Sequence, residues 1–189
     1  MIDLVDESDP ILQQKPVPWP FGQAFPAETF ETPWYYAQGG QIPNPQKFYN
    51  LMFENMLGHN GLGLAANQIG FPFTVFSMMV DSVDAICCFN PEILKESDET
   101  VMMKEGCLSF PSLYLNIRRP EMIEAKYQNV DGDDVEVHFE GLAARVFQHE
   151  MDHMQGQNFT EYVSKFVLKS ARKKQKKLLK KGKEDGRVF

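Results

Sequence analysis

Two histidines and a glutamate with the spacing H-E-x-x-H (His149, Glu150 and His153) are the residues of this chain best suited to chemistry. The histidines are four residues apart and therefore share one face of a helix, where both imidazoles can reach one metal ion. Glu150 lies beside them, close enough to take a proton from a water bound to that metal. Residues 141–148 have apolar side chains at helical spacing, which supports the helix. We predict a metal site; the alternative is a helix with two ordinary surface histidines.

A third ligand decides which metal chemistry this pattern supports. Metzincin proteases extend it to H-E-x-x-H-x-x-G-x-x-H, and this chain has Gly156 in register but Phe159 in place of the last histidine. Other zinc proteases take a glutamate from a following helix, yet no acid follows Glu161 until Glu184, in a polar C-terminal segment. Both protease patterns are therefore incomplete.

Cys107 is the remaining soft ligand for a metal. It lies between Gly106 and the turn-like segment 109–111, so its sulfur could point inward. Cys87 and Cys88 belong to an apolar, strand-like run, in which small buried hydrophobic residues are expected. A Cys/His/His set leaves one coordination position for water, which is typical of a catalytic and not of a structural site.

At three separate places the chain carries motifs of a known family. Residues 61–68 (GLGLAANQ), 105–109 (EGCLS) and 148–153 (QHEMDH) are similar to its G-x-G-x-A-A-x-Q, E-G-C-L-S and Q-H-E-x-D-H motifs, in the same order and at similar spacing. The chain thus resembles, from about residue 45 to residue 168, the peptide deformylases, which remove the formyl group from the N-terminal methionine of new polypeptides. The resemblance implies antiparallel sheets around the H-E-x-x-H helix. Successive strand patterns with hairpin links and helices at the ends also indicate the α+β class.

The resemblance implies a role for each motif residue in hydrolysis of the formyl amide. The metal ligands would be Cys107 and the two histidines, and Glu150 would take a proton from water and return it to the leaving amine. The side-chain amide of Gln68 and the backbone N–H of Leu108 would stabilise the oxyanion. The products would be formate and a free N-terminal methionine. Without the resemblance, Gln68 would be interpreted as a surface glutamine.

The identity of the metal is also implied by the resemblance, which indicates Fe²⁺ as the native ion. A Cys/His/His set equally suits Zn²⁺, Ni²⁺ or Co²⁺, and iron is low in the affinity order of divalent metals. A purified sample can therefore carry a metal other than the native one.

The substrate is expected to lie along the first two motifs and the metal helix. Gly61 and Gly63 can permit turns with positive φ and can let a peptide lie against the backbone, and we expect both. Arg145 lies one turn before His149, at a position that is apolar in some family members and lines the methionine pocket. The pocket edge is therefore expected to be more polar here, unless the charge extends into solvent. The expected substrate-binding residues are Gly61, Leu62, Gly63, Glu105, Gly106, Arg145 and Val146.

Further residues are expected to orient the metal ligands without binding the metal themselves. Gln148 precedes one histidine and Asp152 precedes the other, and Arg119 is expected to be the partner of a carboxylate of the site. His59 and His138 have no co-ligands at a suitable spacing, so we expect them to be ordinary polar residues.

Composition indicates one domain in a reducing compartment. With 189 residues, 43% of them hydrophobic, the chain can form one well-buried core. We expect a catalytic domain at residues 1–168 and a basic tail at residues 169–189. Three cysteines, two of them adjacent, argue against a disulfide framework. No apolar run is long enough to span a bilayer, and the acidic start is unlike a targeting signal. A cytoplasmic monomer is expected, in a bacterial cytosol or in the host cytosol if a virus encodes the chain.

Charge is distributed unevenly along the chain. Residues 163–189 contain eleven Lys or Arg and two acids, for a net charge of +9, whereas residues 1–162 contain eight and twenty-four, for a net charge of −16. A solvated helix that keeps the protein soluble would explain this tail. Contact with ribosomal RNA would explain it as well, because phosphate contacts need only Lys or Arg within reach. In the bacterial deformylases that the chain resembles, a C-terminal helix of this kind docks near the ribosomal exit tunnel.

Local patterns indicate the elements that must position these residues. Asn44 and Pro45 predict the start of a helix that ends near Gly58. Residues 17–44, rich in Pro, Gly and aromatic residues, predict an irregular loop. The resemblance implies that this loop is an insertion relative to the family, and its aromatic residues either pack on the body or cover the cleft. The predicted strands are 73–80, 85–89, 100–104, 113–117, 122–130 and 135–139, the last two joined by Asp131-Gly132-Asp133.

Two other functions stay open at this point. The missing third His or Glu disfavours a metallopeptidase, which cleavage of an unformylated peptide would reveal. A non-catalytic, metal-stabilised ribosome-binding module would lack a key site residue, and none is missing here.

Overall fold

Seven strands and three α-helices make up the part of the chain described by the structure, a computed structural model that covers residues 1–22 and 44–184. The helices are α1 (Pro45–Gly58), α2 (Gly141–Met154) and α3 (Lys165–Glu184). The strands are β1 (Gly63–Ala65), β2 (Val75–Met79), β3 (Ala85–Glu96), β4 (Thr100–Cys107), β5 (Phe110–Pro120), β6 (Met122–Gln128) and β7 (Asp134–Glu140). None of the helices in the described ranges has the length and apolar composition needed to cross a bilayer.

The strands form two antiparallel sheets. Five strands pair in the order β1-β2-β3-β6-β7, and β4 pairs with β5 in a separate two-stranded sheet. Strands β6 and β7 are joined by the predicted turn, in which Gly132 has a φ of +89° that favours glycine. The α+β class with antiparallel sheets is confirmed.

Helix α2, which carries the H-E-x-x-H pattern, contacts both sheets. On one side, Ala144 and Phe147 are fully buried, and the Phe147 ring packs against Phe76 of β2. Burial of two such side chains stabilises the fold by a few kcal/mol, at roughly 25 cal/mol per Å² of apolar surface. On another side, His149 and His153 contact residues of β4. The packing of α2 therefore presents both histidines to the strand that ends at Cys107.

Helix α1 begins and ends as the sequence predicts. The Asn44 side chain accepts hydrogen bonds from the backbone N–H groups of Gln46 and Lys47, and Pro45 occupies the first turn, where its missing N–H has no partner to lose. The helix ends at Gly58 and leads through a short turn into β1. Helix capping thus determines where the chain enters the first motif.

The first part of the predicted insertion packs on the body. Trp19 is 3% exposed, and its ring contacts those of Phe48, Phe73 and Phe89. Packing is therefore confirmed for this part of the insertion. Its remainder, residues 23–43, lies outside the described residues.

Several strands differ in length from the prediction. Strands β3, β4 and β5 extend to Glu96, Cys107 and Pro120, because cross-strand pairing continues through residues whose own strand propensity is low. Strand β1 was not predicted, since three residues are too few to show a periodic pattern. The extension of β4 matters for function because it makes Cys107 the last residue of a paired strand.

Helix α3 is anchored to the body by its first half. The Arg172 guanidinium lies 2.7 Å from the Glu7 carboxylate, and the Gln175 amide donates to the carbonyl of Pro111 at 2.9 Å. The helix also runs without interruption across residue 168, where the sequence placed the end of the catalytic domain. The basic segment is thus a continuation of a packed helix.

Candidate active site

Cys107, at the end of β4, meets the two histidines of α2. One ligand atom from each of Cys107, His149 and His153 lies within 4.8 Å of the others, and Cys107 Sγ is 3.4 Å from His153 Nε2. Within residues 1–22 and 44–184 no other group of three His, Cys, Asp or Glu is so arranged. Cys87 and Cys88 are buried in β3, and burial raises the pKa of both thiols. Their predicted apolar role is confirmed.

The surroundings of the two imidazoles suit a bound cation. The Nδ1 atom of His149 is 3.0 Å from Glu105 Oε2, which fixes the ring and leaves Nε2 for another partner. Burial opposes charge on His149, but its hydrogen bonds with Cys107 and Glu105 raise its pKa well above the usual value, so the surroundings favour a positive charge at this imidazole, carried by a proton or by a metal ion. Burial and then the neighbouring His149 lower the pKa of His153 to about 3, so that imidazole keeps a free lone pair. Two imidazoles and one sulfur therefore fit a divalent metal.

Glu150 lies on α2 beside these ligands and is 3% exposed. Its Oε2 atom has no hydrogen-bond partner within the described parts of the chain. Burial raises the pKa of Glu150 to about 7, a value at which a carboxyl group can exchange a proton in either direction. A buried carboxylate oxygen without a protein partner is unfavourable unless water or a ligand bonds to it. The position of Glu150 therefore suits proton transfer with a bound molecule.

Gln68 is oriented with its amide nitrogen toward the cysteine. Its Oε1 atom accepts a hydrogen bond from the Ala65 N–H at 2.9 Å, which defines the orientation of the amide. Its Nε2 atom lies 3.2 Å from Cys107 Sγ and 3.3 Å from Ser109 Oγ. Gln68 is only 2% exposed, so its interpretation as a surface residue is wrong.

An open cleft of about 620 Å³ leads to Cys107, His149 and Glu150. The segment at β1 lines one wall, and β4 with the turn that follows it lines the other. His153 is 1% exposed and lies behind the cleft surface. The structure brings the expected substrate-binding and oxyanion residues to this cleft; they are Gly61, Leu62, Gly63, Gln68, Glu105, Gly106, Leu108, Arg145 and Val146.

Behind the ligands, two arginines and two acids form a buried network. Arg119 Nε donates to Glu105 Oε1 at 2.7 Å, and its NH2 group donates to Asp152 Oδ2 at 2.7 Å. Arg145 NH1 also donates to Glu105 Oε1, at 2.7 Å. Burial would raise the pKa of Glu105, but the hydrogen bonds from His149 and Arg119 hold it well below its usual value. The ionised Glu105 therefore fixes the orientation of His149.

Arg145 lies in the wall of the cleft, and its charge is held inside the protein. Its guanidinium donates to the carbonyls of Val101 and Ile117 as well as to Glu105, and the residue is 3% exposed. The alternative in which its charge extends into solvent is wrong, because strands β4 and β5 supply acceptors for NH1 and NH2 inside the protein. The charge of Arg145 is thus neutralised by Glu105 at the cleft wall.

The Gln148 amide makes no hydrogen bond with Cys107, His149 or His153 among the described residues. Its amide donates to the carbonyls of Pro120 and Ala144, each at 3.0 Å. Gln148, Asp152 and Arg119 also border a second cavity, of about 550 Å³. The connection to the ligands therefore runs through Arg119 and Asp152, whereas Gln148 connects α2 to the end of β5.

Gly61 and Gly63 are required for reasons other than positive φ. Neither is among the described glycines with positive φ, so that part of the expectation is wrong. A Cβ on Gly61 would lie 2.8 Å from Leu108 Cδ1, and one on Gly63 would clash with the Glu150 carboxylate. Both glycines therefore leave room for side chains of the site itself.

Three residues of the site were not identified from sequence. Ser109 lies 3.3 Å from the Gln68 amide, Asn67 donates to the His153 carbonyl at 3.2 Å, and the Tyr162 hydroxyl donates to Asp152 at 2.7 Å. Ser109 and Asn67 lie inside the first two motifs, which is a signal that could have found them. Tyr162 follows α2 by several residues and has no sequence signal of its own.

The family model of polypeptide deformylases matches residues 31–169. The chain belongs to this family. A peptide deformylase from Novosphingobium aromaticivorans is 38% identical over 152 residues, which cover 68% of this chain and 81% of the relative. The crystal structure of the peptide deformylase from Thermotoga maritima is 36% identical, with a TM-score of 0.72, and covers 87% of this chain and 98% of its own. That of the deformylase from Legionella pneumophila is 30% identical, with a TM-score of 0.77, and covers 95% and 96%.

Membership of this family establishes the reaction that the chain catalyses. Peptide deformylases are metallohydrolases that remove the formyl group from the N-terminal methionine of nascent polypeptides, and this deformylase does so too. Its Cys/His cluster is able to bind one metal ion. The missing ligand of the metallopeptidase alternative and the family assignment together exclude that interpretation of the H-E-x-x-H helix.

Proposed function

We propose that this deformylase holds one divalent metal with Cys107, His149 and His153, and that Fe²⁺ is the native ion. Support comes from the convergence of the three ligand atoms within 4.8 Å at the base of an open cleft, and this observation carries the proposal. The set also suits Zn²⁺, Ni²⁺ or Co²⁺, each of which competes well with iron in the affinity order. Purification in air would therefore yield a mixed metal content.

We assign the proton transfer to Glu150. When bound, the metal supplies a Lewis acid that lowers the pKa of water. Glu150 accepts a proton from the water that attacks the formyl carbon, and it returns this proton to the departing amine. Its burial next to the ligands and its unpartnered Oε2 atom support the role.

Two donors are proposed to stabilise the oxyanion. The Gln68 amide nitrogen already points toward Cys107, and the Ala65 N–H keeps it from rotating away. The Leu108 N–H follows the cysteine and takes no part in the loop and turn hydrogen bonds of the described residues. A donor of this kind contributes on the order of 10²-fold to turnover.

The cleft is proposed as the binding site of the formyl-methionyl peptide. Leu62 is 52% exposed on one wall, and Val146 of α2 adds a second apolar surface near Glu150. Gly61, Gly63 and Gly106 leave room for Leu108, Glu150 and Tyr114, respectively, while Glu105 and Arg145 form an ion pair in the wall. In this proposal Arg119 and Asp152 orient His149 through Glu105, and Gln148 supports them by joining α2 to β5.

The ligand set is tested by metal analysis of single variants. We expect Cys107→Ala to abolish tight metal binding, whereas Cys87→Ala and Cys88→Ala should keep their metal and lose only some stability through small core defects. The proteins are prepared without oxygen, loaded with Fe²⁺ or Ni²⁺, and assayed for formate release from a formyl-Met peptide. Full metal content in Cys107→Ala would refute the assignment.

We further propose a monomer that acts in a reducing cytosol and approaches ribosomal RNA with its basic tail. The three free cysteines support a reducing compartment. The net charge of +9 on residues 163–189, and the exposure of Lys173, Lys174, Lys176 and Lys177 on α3, support contact with phosphates. In functional terms residues 1–168 would be the catalytic unit and residues 169–189 the tail.

A further inference from the structure

A lysine and a tyrosine lie together at the rim of the cleft. The Lys104 ammonium is 4.3 Å from the centroid of the Tyr114 ring, and both side chains are exposed. In the β4–β5 register Gly106 is opposite Tyr114, and Lys104 is opposite Asn116. Lys104 is therefore the diagonal neighbour of Tyr114 on one face of the hairpin, a distance that long and aromatic side chains can bridge.

Gly106 makes room for this pair. A Cβ on Gly106 would lie 2.9 Å from Tyr114 Cε1, so the ring rests against the glycine. The face of the ring attracts the Lys104 ammonium, an interaction that stabilises at exposed sites. The contact holds the ammonium beside the cleft in place of the many positions that a free lysine would sample.

Lys104 has no carboxylate partner within the described residues. The cleft wall contains one other Lys or Arg, Arg145, and its charge is already paired with Glu105. The Lys104 ammonium is thus the cation of the described cleft that a carboxylate of the substrate can reach.

The two walls of the cleft favour an extended peptide that passes Lys104. Strands β1 and β4 lie at the edges of their sheets within the described fold, and an extended peptide can pair with such an edge. Because β4 ends at Cys107, a substrate that pairs with β4 and has its formyl group at that end runs along the strand toward Lys104. Lys104 is three residues from Cys107, which is about 10 Å at roughly 3.3 Å per residue. The third residue of an extended substrate lies at the same distance from its formyl group.

We propose that Lys104, positioned by Tyr114, makes this deformylase prefer formyl-methionyl peptides that carry an acidic side chain at the third residue. The inference rests on the proposed role of the cleft as the substrate site. The preference adds to recognition of the methionine, which takes place nearer the metal ligands.

The test compares three peptides that differ only at the third residue: formyl-Met-Ala-Glu-Ala, formyl-Met-Ala-Gln-Ala and formyl-Met-Ala-Lys-Ala. For the metal-loaded enzyme at low salt, we expect kcat/KM to be roughly two- to five-fold higher for Glu than for Gln, as for an exposed ion pair, and lowest for Lys. The ratio should fall towards one in about 1 M salt, where the charges are screened. Glu at the second or fourth residue should have a smaller effect.

Variants of Lys104 and Tyr114 test whether this pair causes the preference for an acidic third residue. Lys104→Met keeps the length of the side chain without its charge and should bring the Glu to Gln ratio of kcat/KM to about one. Lys104→Glu should invert this ratio, and Tyr114→Leu should move it closer to one. Lys95→Met, an exposed lysine outside the cleft, is the matched control and should keep the ratio of the unaltered enzyme. A ratio near one for the unaltered enzyme, or a ratio retained in Lys104→Met, overturns the inference. If none of the three peptides is deformylated, the proposed site itself is wrong.

Discussion

At the scale of single residues, Gly63 lies against Glu150, the residue to which we assign proton transfer. A Cβ at residue 63 would overlap the Glu150 carboxylate and approach Val146 Cγ1 to 2.9 Å. The absence of a side chain on β1 is therefore what lets Glu150 occupy its place beside the ligands. A misplacement of about 1 Å can reduce turnover on the order of 10²-fold.

We therefore expect Gly63→Ala to lower kcat for formate release on the order of 10²-fold while metal content is unchanged. Gly58→Ala is the matched control, because a Cβ there meets only the flexible Met1 side chain at the end of α1. Equal activity of the two variants would show that Glu150 tolerates displacement.

Replacement of Glu150 by glutamine tests its proton transfer without change of shape. Glu150→Gln leaves Cys107, His149 and His153 untouched, so the metal should remain, whereas turnover should fall by at least on the order of 10²-fold. Metal content and formate release are measured on the same sample. Normal turnover at one metal ion per chain would contradict the assignment of proton transfer to Glu150.

At the scale of elements, Arg119 joins three parts of the fold. From β5 it donates to Glu105 of β4 and to Asp152 of α2, and its guanidinium lies 4.4 Å from the Tyr162 ring. Within the described part of the chain, removal of Arg119 would leave Asp152 without an ion-pair partner and Glu105 with one arginine fewer, and both carboxylates are largely buried. The arginine thus stabilises the packing of the β4–β5 sheet against α2.

Arg119→Met should lower the free energy of unfolding by about 3–5 kcal/mol, as expected for a broken buried ion pair. Arg118→Met, at the exposed neighbouring position, should change it by less than about 0.5 kcal/mol. Urea unfolding of both variants at the same metal loading measures the difference. A decrease of similar size in the two variants would mean that the network does not stabilise the fold.

These elements also show how far sequence reasoning reaches. Helix α1 and its cap, the H-E-x-x-H helix and the hairpin of β6 and β7 depend on neighbours a few residues apart, so local patterns predict them. The Arg145 guanidinium and the Gln148 amide depend on which carbonyls the other sheet brings close. The carbonyls of Ile117 and Pro120 that these two side chains reach are 28 residues away in sequence, and no local pattern encodes that proximity.

At the scale of the whole molecule, charge and catalysis occupy different regions. Lys173, Lys174, Lys176 and Lys177 are exposed on α3, whereas the residues that line the cleft are in the acidic body. Arg172 and Gln175 hold α3 in place through contacts that neutralisation of these lysines would not touch. Charge and packing of the helix can therefore be separated by substitution.

We expect replacement of these four lysines by glutamine to keep formate release from a short formyl-Met peptide within about three-fold and to weaken ribosome binding. The slope of log binding constant against log salt concentration should become less negative by roughly one unit for each phosphate that the helix no longer neutralises. Co-sedimentation with ribosomes at several salt concentrations measures both effects. The control replaces four lysines of the body, Lys15, Lys47, Lys95 and Lys126. If both variants sediment like the unaltered protein, α3 is only a solvated helix.

The proposed ligands come from two separate parts of the fold, Cys107 from the end of a hairpin and the histidines from the helix between the sheets. A metal ion that binds all three residues would therefore cross-link the hairpin and the helix, in addition to its role in the reaction. Thermodynamic linkage then raises the stability of the folded state by RT ln(1 + [M]/Kd), about 2.7 kcal/mol at a free metal concentration of 100 Kd. The thermal midpoint of this enzyme becomes a measure of the metal supply around it.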